Sequence, residues 1–388
     1  MRTTNRRTAL TILSASLFAA ACSTPPATQA DGGTDAGATP DAGPFAVTWQ
    51  DGPDFPEPIA FGSAMFLPGG NGVTYLYVFG GSGGSYGDLT PFYSQVRRAA
   101  LQGDNSLGPW EDAGALSNGT AELALAGHGA IRVFADDGAN GVAIAGGGGP
   151  GGTLPVVLAG YVQSVDQSFG MWGAFPPTIS AAQGGHVFGS FNSFEAHQLA
   201  LVGGSRGGTA LDTVILAATE AGTTVPDWRD GPALPTPRYG HGSVQVGATA
   251  PDIYLVGGRS DTEALGDVLV SVRDASLEVT GWATAGTLEG PVVFPQTTLV
   301  GSHLYVIGGV DGDPVFGTTS TRVRRATATA GAPHGTIDAF VDVDGAALPE
   351  GRAAALVATI GPWVYLVGGI TSPSNTATSS VVYARLEP

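Results

Sequence analysis

Six short apolar runs in this chain each stop at a pair of glycines: residues 75–79 before Gly80 and Gly81, 142–145 before Gly146 and Gly147, 199–202 before Gly203 and Gly204, 253–256 before Gly257 and Gly258, 304–307 before Gly308 and Gly309, and 364–367 before Gly368 and Gly369. The first glycines are spaced 66, 57, 54, 51 and 60 residues apart. Runs this short and this apolar read as buried strands, and glycine after a strand admits positive φ and close backbone approach. A unit of about 50 residues made only of short strands cannot bury both faces of its own sheet, so such units must stack on one another.

A second repeated element sharpens this expectation. An aromatic residue precedes each glycine pair by 26 to 36 positions: Trp49, Trp110, Trp172, Trp228, Trp282 and, by substitution, Phe340. The neighbours recur in part, as Trp49-Gln-Asp-Gly-Pro and Trp228-Arg-Asp-Gly-Pro. Large flat rings supply burial between neighbouring sheets, and Asp-Gly-Pro supplies a tight turn. Each unit reads as four strands, with the glycine pair ending the second and runs such as 95–101, 213–217, 268–272 and 380–386 carrying the third. The expected fold class is all-β, a six-bladed β-propeller over residues 45–388, with seven blades as the minor alternative if the long first interval hides a further unit. The last unit ends at its third strand, so residues 45–50 are expected to pair with residues 381–386, supply the missing outer strand and close the ring.

The fourth unit carries the fullest pattern: Trp228, Pro237, Arg238, His241 and then Ile253-Tyr254-Leu255-Val256-Gly257-Gly258. This resembles the kelch repeat family, whose signature joins an upstream Arg and His to an apolar-Tyr-apolar-apolar-Gly-Gly strand and a Trp opening the next blade. Arg352 offers the upstream Arg of the last unit. The resemblance implies a structural, hydrogen-bonding role for His241 on an innermost strand.

Ahead of the repeats lies sequence of another kind. Arg2, Arg6 and Arg7 precede a short apolar stretch that ends at Cys22, the one cysteine of the chain. Residues 1–21 therefore read as a signal peptide, too short to span a bilayer. The segment 17–22, Leu-Phe-Ala-Ala-Ala-Cys, resembles a bacterial lipobox, which implies lipid attachment at Cys22. By the same resemblance, Ser23 after the cysteine implies sorting to the outer membrane. Residues 22–44, rich in Ala, Thr, Pro, Gly and Asp, read as a disordered tether that holds the domain about 25 Å from its anchor.

Composition narrows the partners. Without the three leader arginines, 13 Arg and no Lys face 33 acidic residues, a net charge near −20. Such a chain repels phosphate backbones, so no nucleic-acid partner is expected, and membrane contact is expected through the lipid anchor only. The six histidines fall in no metal-ligand spacing, so no metal and no cofactor is expected. Gly83-Gly-Ser-Tyr-Gly87 has nucleophile-elbow spacing but no helix to follow it, and reads as a turn. Asp311-Gly-Asp313 and Asp342-Val-Asp344 lack the closing Glu of a calcium loop and read as turns.

No catalytic set can be located. Loops after the glycine pairs and loops leading into each first strand should share one face, gathering Arg206 and Arg259 from one set and Arg238 and Arg352 from the other, with Tyr86 adding a stacking ring. The expected function is a monomeric, envelope-anchored, non-catalytic binding or scaffolding module for a protein or glycan. The alternative is a secreted carbohydrate-active enzyme, resembling the kelch-type sialic acid mutarotases and epimerases.

Overall fold

The computed structural model describes residues 10–11, 47–135, 138–153, 157–175, 186, 188–194, 198–218, 228–248, 251–312 and 317–387. Cys22, the tether and nearly all of the leader lie outside these residues. Among them the protein is all β, with no helix. Six antiparallel sheets follow one another along the chain; sheets 1 to 5 run first strand to fourth in sequence order, and in sheet 2 Leu10–Thr11 also pairs with Phe134 and Ala135 at the end of the first strand. First strands are Ser63–Pro68, Ala126–Ala135, Ser190–Phe194, Gly242–Val246, Gln296–Val300 and Leu356–Ile360 in sheets 1 to 6. Second strands, Thr74–Ser82, Asn140–Gly149, Gln198–Val202, Asp252–Val256, His303–Ile307 and Trp363–Val367, end at or run through the glycine pairs. Third strands are Phe92–Leu101, Val157–Val162, Val214–Ala218, Asp267–Arg273, Val323–Thr327 and Val381–Arg385. Fourth strands are Leu107–Ala115, Phe169–Phe175, Trp228–Asp230, Val279–Thr287, Val341–Asp342 and, for sheet 6, Gln50–Asp51.

The last of these comes from the other end of the chain. Gln50 pairs with Tyr383 and Asp51 with Val382, so the outer strand of sheet 6 is N-terminal. The pairing sits at the edge of the 45–50 segment expected from the sequence, and Val47 and Trp49 pack into the same core. Second strands are buried on both sides: Leu76, Tyr77, Val78 and Phe79 are all fully covered. That is why their sequences are continuously apolar instead of alternating, since each sheet is packed on both faces.

First strands lie side by side in order, and the sixth lies beside the first. One residue just ahead of each first strand, or inside it, has positive φ: Phe61 (58°), Gly127 (68°), Phe188 (59°), Gly240 (61°), Phe294 (53°) and Ala354 (51°). These six backbones bond to one another in a single direction. Gly127 N–H donates to Phe61 O (2.7 Å), Phe188 to Gly127 (2.8 Å), Gly240 to Phe188 (2.9 Å), Phe294 to Gly240 (2.7 Å), Ala354 to Phe294 (3.0 Å) and Phe61 to Ala354 (3.0 Å). The series returns to its start after six steps. Left-handed backbone costs an L-residue about 1–2 kcal/mol, a cost offset here by one hydrogen bond given and one received at every step.

The glycine pairs build a second series of the same size. The second glycine of each pair donates to a carbonyl two residues ahead of the next sheet's left-handed residue: Gly81 to Leu125, Gly147 to His186, Gly204 to Arg238, Gly258 to Val292, Gly309 to Arg352 and Gly369 to Ile59, at 2.7 to 3.1 Å. The first glycine must let that carbonyl pass. A Cβ on Gly368, whose φ is +63°, would lie 2.0 Å from the Ile59 oxygen.

Side chains add a third set of links, and these are uneven. Trp110 Nε1 donates to Pro53 O (2.9 Å), Trp282 to Pro232 O (3.1 Å) and Trp49, just ahead of its strand, to Ala346 O (2.8 Å), each crossing from the outer edge of one sheet to the turn after the preceding sheet's fourth strand. Tyrosines three residues before the glycine pair reach the following sheet: Tyr77 to Gln167 O, Tyr254 to Thr329 and Thr336 O, Tyr305 to Glu387 O and Tyr365 to Asn105 O. Burial pushes the Tyr77 hydroxyl up to about 12 and raises those of Tyr254, Tyr305 and Tyr365, so all four remain donors at neutral pH.

Candidate functional site

Arg238 and Arg352 each stand two residues ahead of a left-handed residue, and both point inward. Arg238 is fully buried; its Nη1 donates to Gly257 O (3.1 Å) and Asp267 Oδ1 (2.8 Å), and its Nη2 to Asp267 Oδ2 (2.8 Å). Arg352, 1% exposed, donates from Nη1 to Gly368 O (3.2 Å) and from Nη2 to Ser380 Oγ (3.2 Å). Each guanidinium braces the glycine-pair turn of its own sheet. The sequence reading placed both on a ligand-facing surface; the structure puts them beneath it, because the carbonyls exposed by two successive positive-φ glycines need a donor.

Arg206 and Arg259 are half-buried in the turns after the third and fourth glycine pairs. Arg206 belongs to the hairpin Ser205–Arg206/Thr209–Ala210, and Arg259 exchanges two backbone bonds with Tyr239 at 2.9 and 3.0 Å. Asp261 ties these turns together by accepting the Ala210 N–H at 2.7 Å. The loop face of sheets 3 and 4 is therefore a braced platform carrying Arg206, Arg259 and the exposed Asp261. Of the acidic turns, Asp342 is taken up by Arg322, Asp311 is exposed, and Asp313 lies outside the described residues.

Tyr86 reaches across from sheet 1 to sheet 4, where its hydroxyl donates to that of Tyr239 at 2.7 Å. Its ring stacks parallel to Tyr239 at 6.5 Å and packs on Phe294 at 5.3 Å. Beneath it the left-handed phenylalanines of sheets 1, 3 and 5 meet: Phe61, Phe188 and Phe294 lie 5.1 to 5.3 Å apart, ring centre to ring centre. The alternate positions are Gly127, Gly240 and Ala354, which leave room for the rings. Tyr86 thus covers an aromatic plug at the centre of the loop face.

Behind the plug lies a cavity of about 160 Å³, lined by the three phenylalanines, His128, His241, Gln296 and small residues. His128 and His241 sit between neighbouring sheets; on Gly80 and Gly203 of the preceding sheets, an added Cβ would meet their Cε1 atoms at 3.1 and 3.0 Å. Burial pushes His128 down to about 4 and His241 down to about 3, so both imidazoles are neutral at physiological pH. His241 Nε2 contacts Ser190 Oγ at 3.2 Å, which agrees with the structural role implied for it.

Sequence reasoning missed one further residue. Arg324 is 2% exposed, faces the joint between sheets 4 and 5, and none of its three nitrogens has a hydrogen-bond partner. It pairs across the ladder with Val306, at a place where the other sheets carry Arg97, Leu158, Ile215, Leu269 and Val382. Arg97 is paired, to Glu57 and Asp112 at 3.0 Å each. In sheet 5 the equivalent cross-strand carboxylate, Asp342, and nearby Glu289 are both bound by Arg322 instead. Two successive basic residues in a buried strand, Arg324 and Arg325, were the available signal.

Among the described residues no group of three or more His, Cys, Asp or Glu could hold a metal ion, and no helix is long and apolar enough to cross a membrane. In comparisons with known proteins, no family model matches the chain, and no curated protein matches it.

Proposed function

We propose that the six sheets are the blades of one closed, kelch-like β-propeller, held at the cell envelope by a lipid on Cys22 and the 22–44 tether, and working as a non-catalytic binding or scaffolding module. The cyclic series of six backbone hydrogen bonds from Phe61 to Ala354 carries the architecture. The N-terminal outer strand of sheet 6 supports closure, because it removes an exposed sheet edge. The brace that Arg238 gives to Gly257 supports the kelch resemblance.

The binding surface in this reading is the loop face. Its centre is plugged, so a partner rests on the rim, where Asp261 fixes the turns of Arg206 and Arg259 relative to each other. A preordered surface loses little entropy on binding, and arginine there suits carboxylates of sugar acids or of a protein partner. Two measurements test the proposal. Mass spectrometry of the membrane fraction should find a diacylglyceryl group on Cys22; an unmodified cysteine or its removal overturns the anchor. A thermal-shift screen of the mature protein against sialic and uronic acids and neutral glycans should show a rise that Arg206→Ala with Arg259→Ala abolishes. At a hundred times its Kd a ligand stabilises by about 2.7 kcal/mol. A flat response to every sugar directs the search to a protein partner, and a shift unaffected by the double substitution removes the rim as the site.

A further inference from the structure

The end of the molecule away from the loop face carries a feature that the loop-face reading does not use. Every first strand runs away from the loop face, starting near its left-handed residue, but the six stop at different depths. In sheets 3, 4, 5 and 6 the strand ends six residues after that residue, at Phe194, Val246, Val300 and Ile360, and in sheet 1 seven residues after it, at Pro68. In sheet 2 it ends eight residues after Gly127, at Ala135. Phe134 and Ala135 therefore reach past the end of the first strand of sheet 3, and Ala135 past that of sheet 1. The inner edge of sheet 2 has no neighbouring first strand beside it at this depth.

A segment of the chain itself takes up that place. Leu10 pairs antiparallel with Ala135 and Thr11 with Phe134, as an additional inner strand of sheet 2. Among the described residues no other strand pairs with that edge. The edge is held firm from behind: Arg132 Nη2 donates to Asn140 Oδ1, Asn140 Nδ2 donates to Pro68 O at 3.0 Å, and the Arg132 guanidinium lies 4.7 Å over the Phe134 ring. A preordered edge loses little entropy on pairing. Val133-Phe134-Ala135 also lacks charge and proline, the two devices that ordinarily keep a strand edge from being paired.

We propose that the inner edge at Phe134 and Ala135 is a strand-addition site for an extended, uncharged peptide, filled by residues 10–11 while the leader is attached and vacated when the leader is removed. Vacation of the edge rests on the reading of residues 1–21 as a signal peptide; the pairing itself does not. Strand addition is made by backbone groups, so the two paired positions of the peptide tolerate most side chains and exclude proline. A mature chain with a net charge near −20 repels an acidic peptide. An attached leader holds its own strand at an effective concentration of about millimolar, so a separate peptide gains the edge only once the leader is gone.

The test follows backbone amide resonances in the full chain and in the mature protein starting at Cys22, each titrated with a synthetic peptide of residues 8–14, Thr-Ala-Leu-Thr-Ile-Leu-Ser. In the mature protein the peptide should shift Val133, Phe134 and Ala135 saturably and slow their hydrogen exchange, with Arg206 and Arg259 on the loop face unmoved. In the full chain those amides should already stand at the shifted positions, and added peptide should bind about tenfold more weakly. The same peptide N-methylated at Leu10 and Thr11 has no backbone donor there and should bind the mature protein about tenfold more weakly, as should the unmodified peptide with Ala135→Pro. If Ala135→Pro fails to fold, the methylated peptide decides alone. The proposal is overturned if the mature protein gives no saturable shift, if methylation leaves binding unchanged, or if the full chain takes up the peptide as readily as the mature protein. The mass of the protein recovered from cells tests the leader separately: residues 1–21 still attached would overturn the vacating step, and the titration would still judge the site.

Discussion

The joint between sheets 5 and 6 and the joint between sheets 2 and 3 share one design and differ in how much of it is filled in. At the first, Trp49 bonds back to Ala346 and Tyr305 bonds forward to Glu387, around a core that includes Ile307, Leu348, Leu366 and Leu386. At the second, the tyrosine position is Ala143, and Trp228 Nε1 is buried with no partner. The core there is richer in alanine, with Ala143, Ala145, Ala159 and Ala217. Among the described residues, the backbone series runs through both. The backbone series therefore suffices to place a sheet, and the aromatic links decide how firmly it is held.

The largest test of this contrast is Trp49→Ala, which should cost about 3 kcal/mol through lost burial and a lost bond. Trp228→Ala should cost clearly less in the same chemical denaturation series; equal losses would break the comparison. Acid should separate the two regions next. His128 lies between sheets 1 and 2 and His241 between sheets 3 and 4, so both flank the weakly linked pair. Their folded pKa values lie below the ordinary 6.5, so the unfolded chain binds more protons below that pH. Stability is thus whole above pH 6.5 and falls by about 2 kcal/mol per histidine by pH 5. Hydrogen exchange at pH 5 should open sheets 2 and 3 before sheets 5 and 6.

A third test runs in the opposite direction. Arg324→Leu replaces an unpartnered buried cation with the side chain found at the matching place in sheet 4, Leu269, and should stabilise by about 1–4 kcal/mol. A destabilised variant would mean that the guanidinium meets an acceptor in solution. The smallest effect is expected from Tyr305→Phe, about 1 kcal/mol for one carbonyl left unmet, confined in hydrogen exchange to sheets 5 and 6.

Much of this layout was legible in the sequence because it rests on residues with few substitutes. Two successive positive-φ positions against a passing carbonyl admit only glycine, so the pairs at 80–81 through 368–369 mark every sheet. The left-handed ring position was not legible, since it is filled by Phe61, Phe188, Phe294 and Ala354 as well as by two glycines. A phenylalanine at positive φ leaves no local sign; only contact with the neighbouring sheets holds it there. The loop-face cluster was half legible for a related reason. Topology placed Arg206, Arg238, Arg259 and Arg352 near one face, but whether a guanidinium points out or folds under depends on Asp267 and on the carbonyls of Gly257 and Gly368.

The outer strand of sheet 6 ties the timing of folding to the order in which the sheets are made. Gln50 and Asp51 are made before any of the six first strands, yet the strand they pair with, Val381–Arg385, is made only after the other five sheets. The final step of the backbone series, from Phe61 to Ala354, waits on the same sheet. A chain leaving the ribosome therefore carries an open arc of sheets until residues 381–385 arrive, and a truncation or stall anywhere ahead of them leaves the first and fifth sheets each without a neighbour on one side.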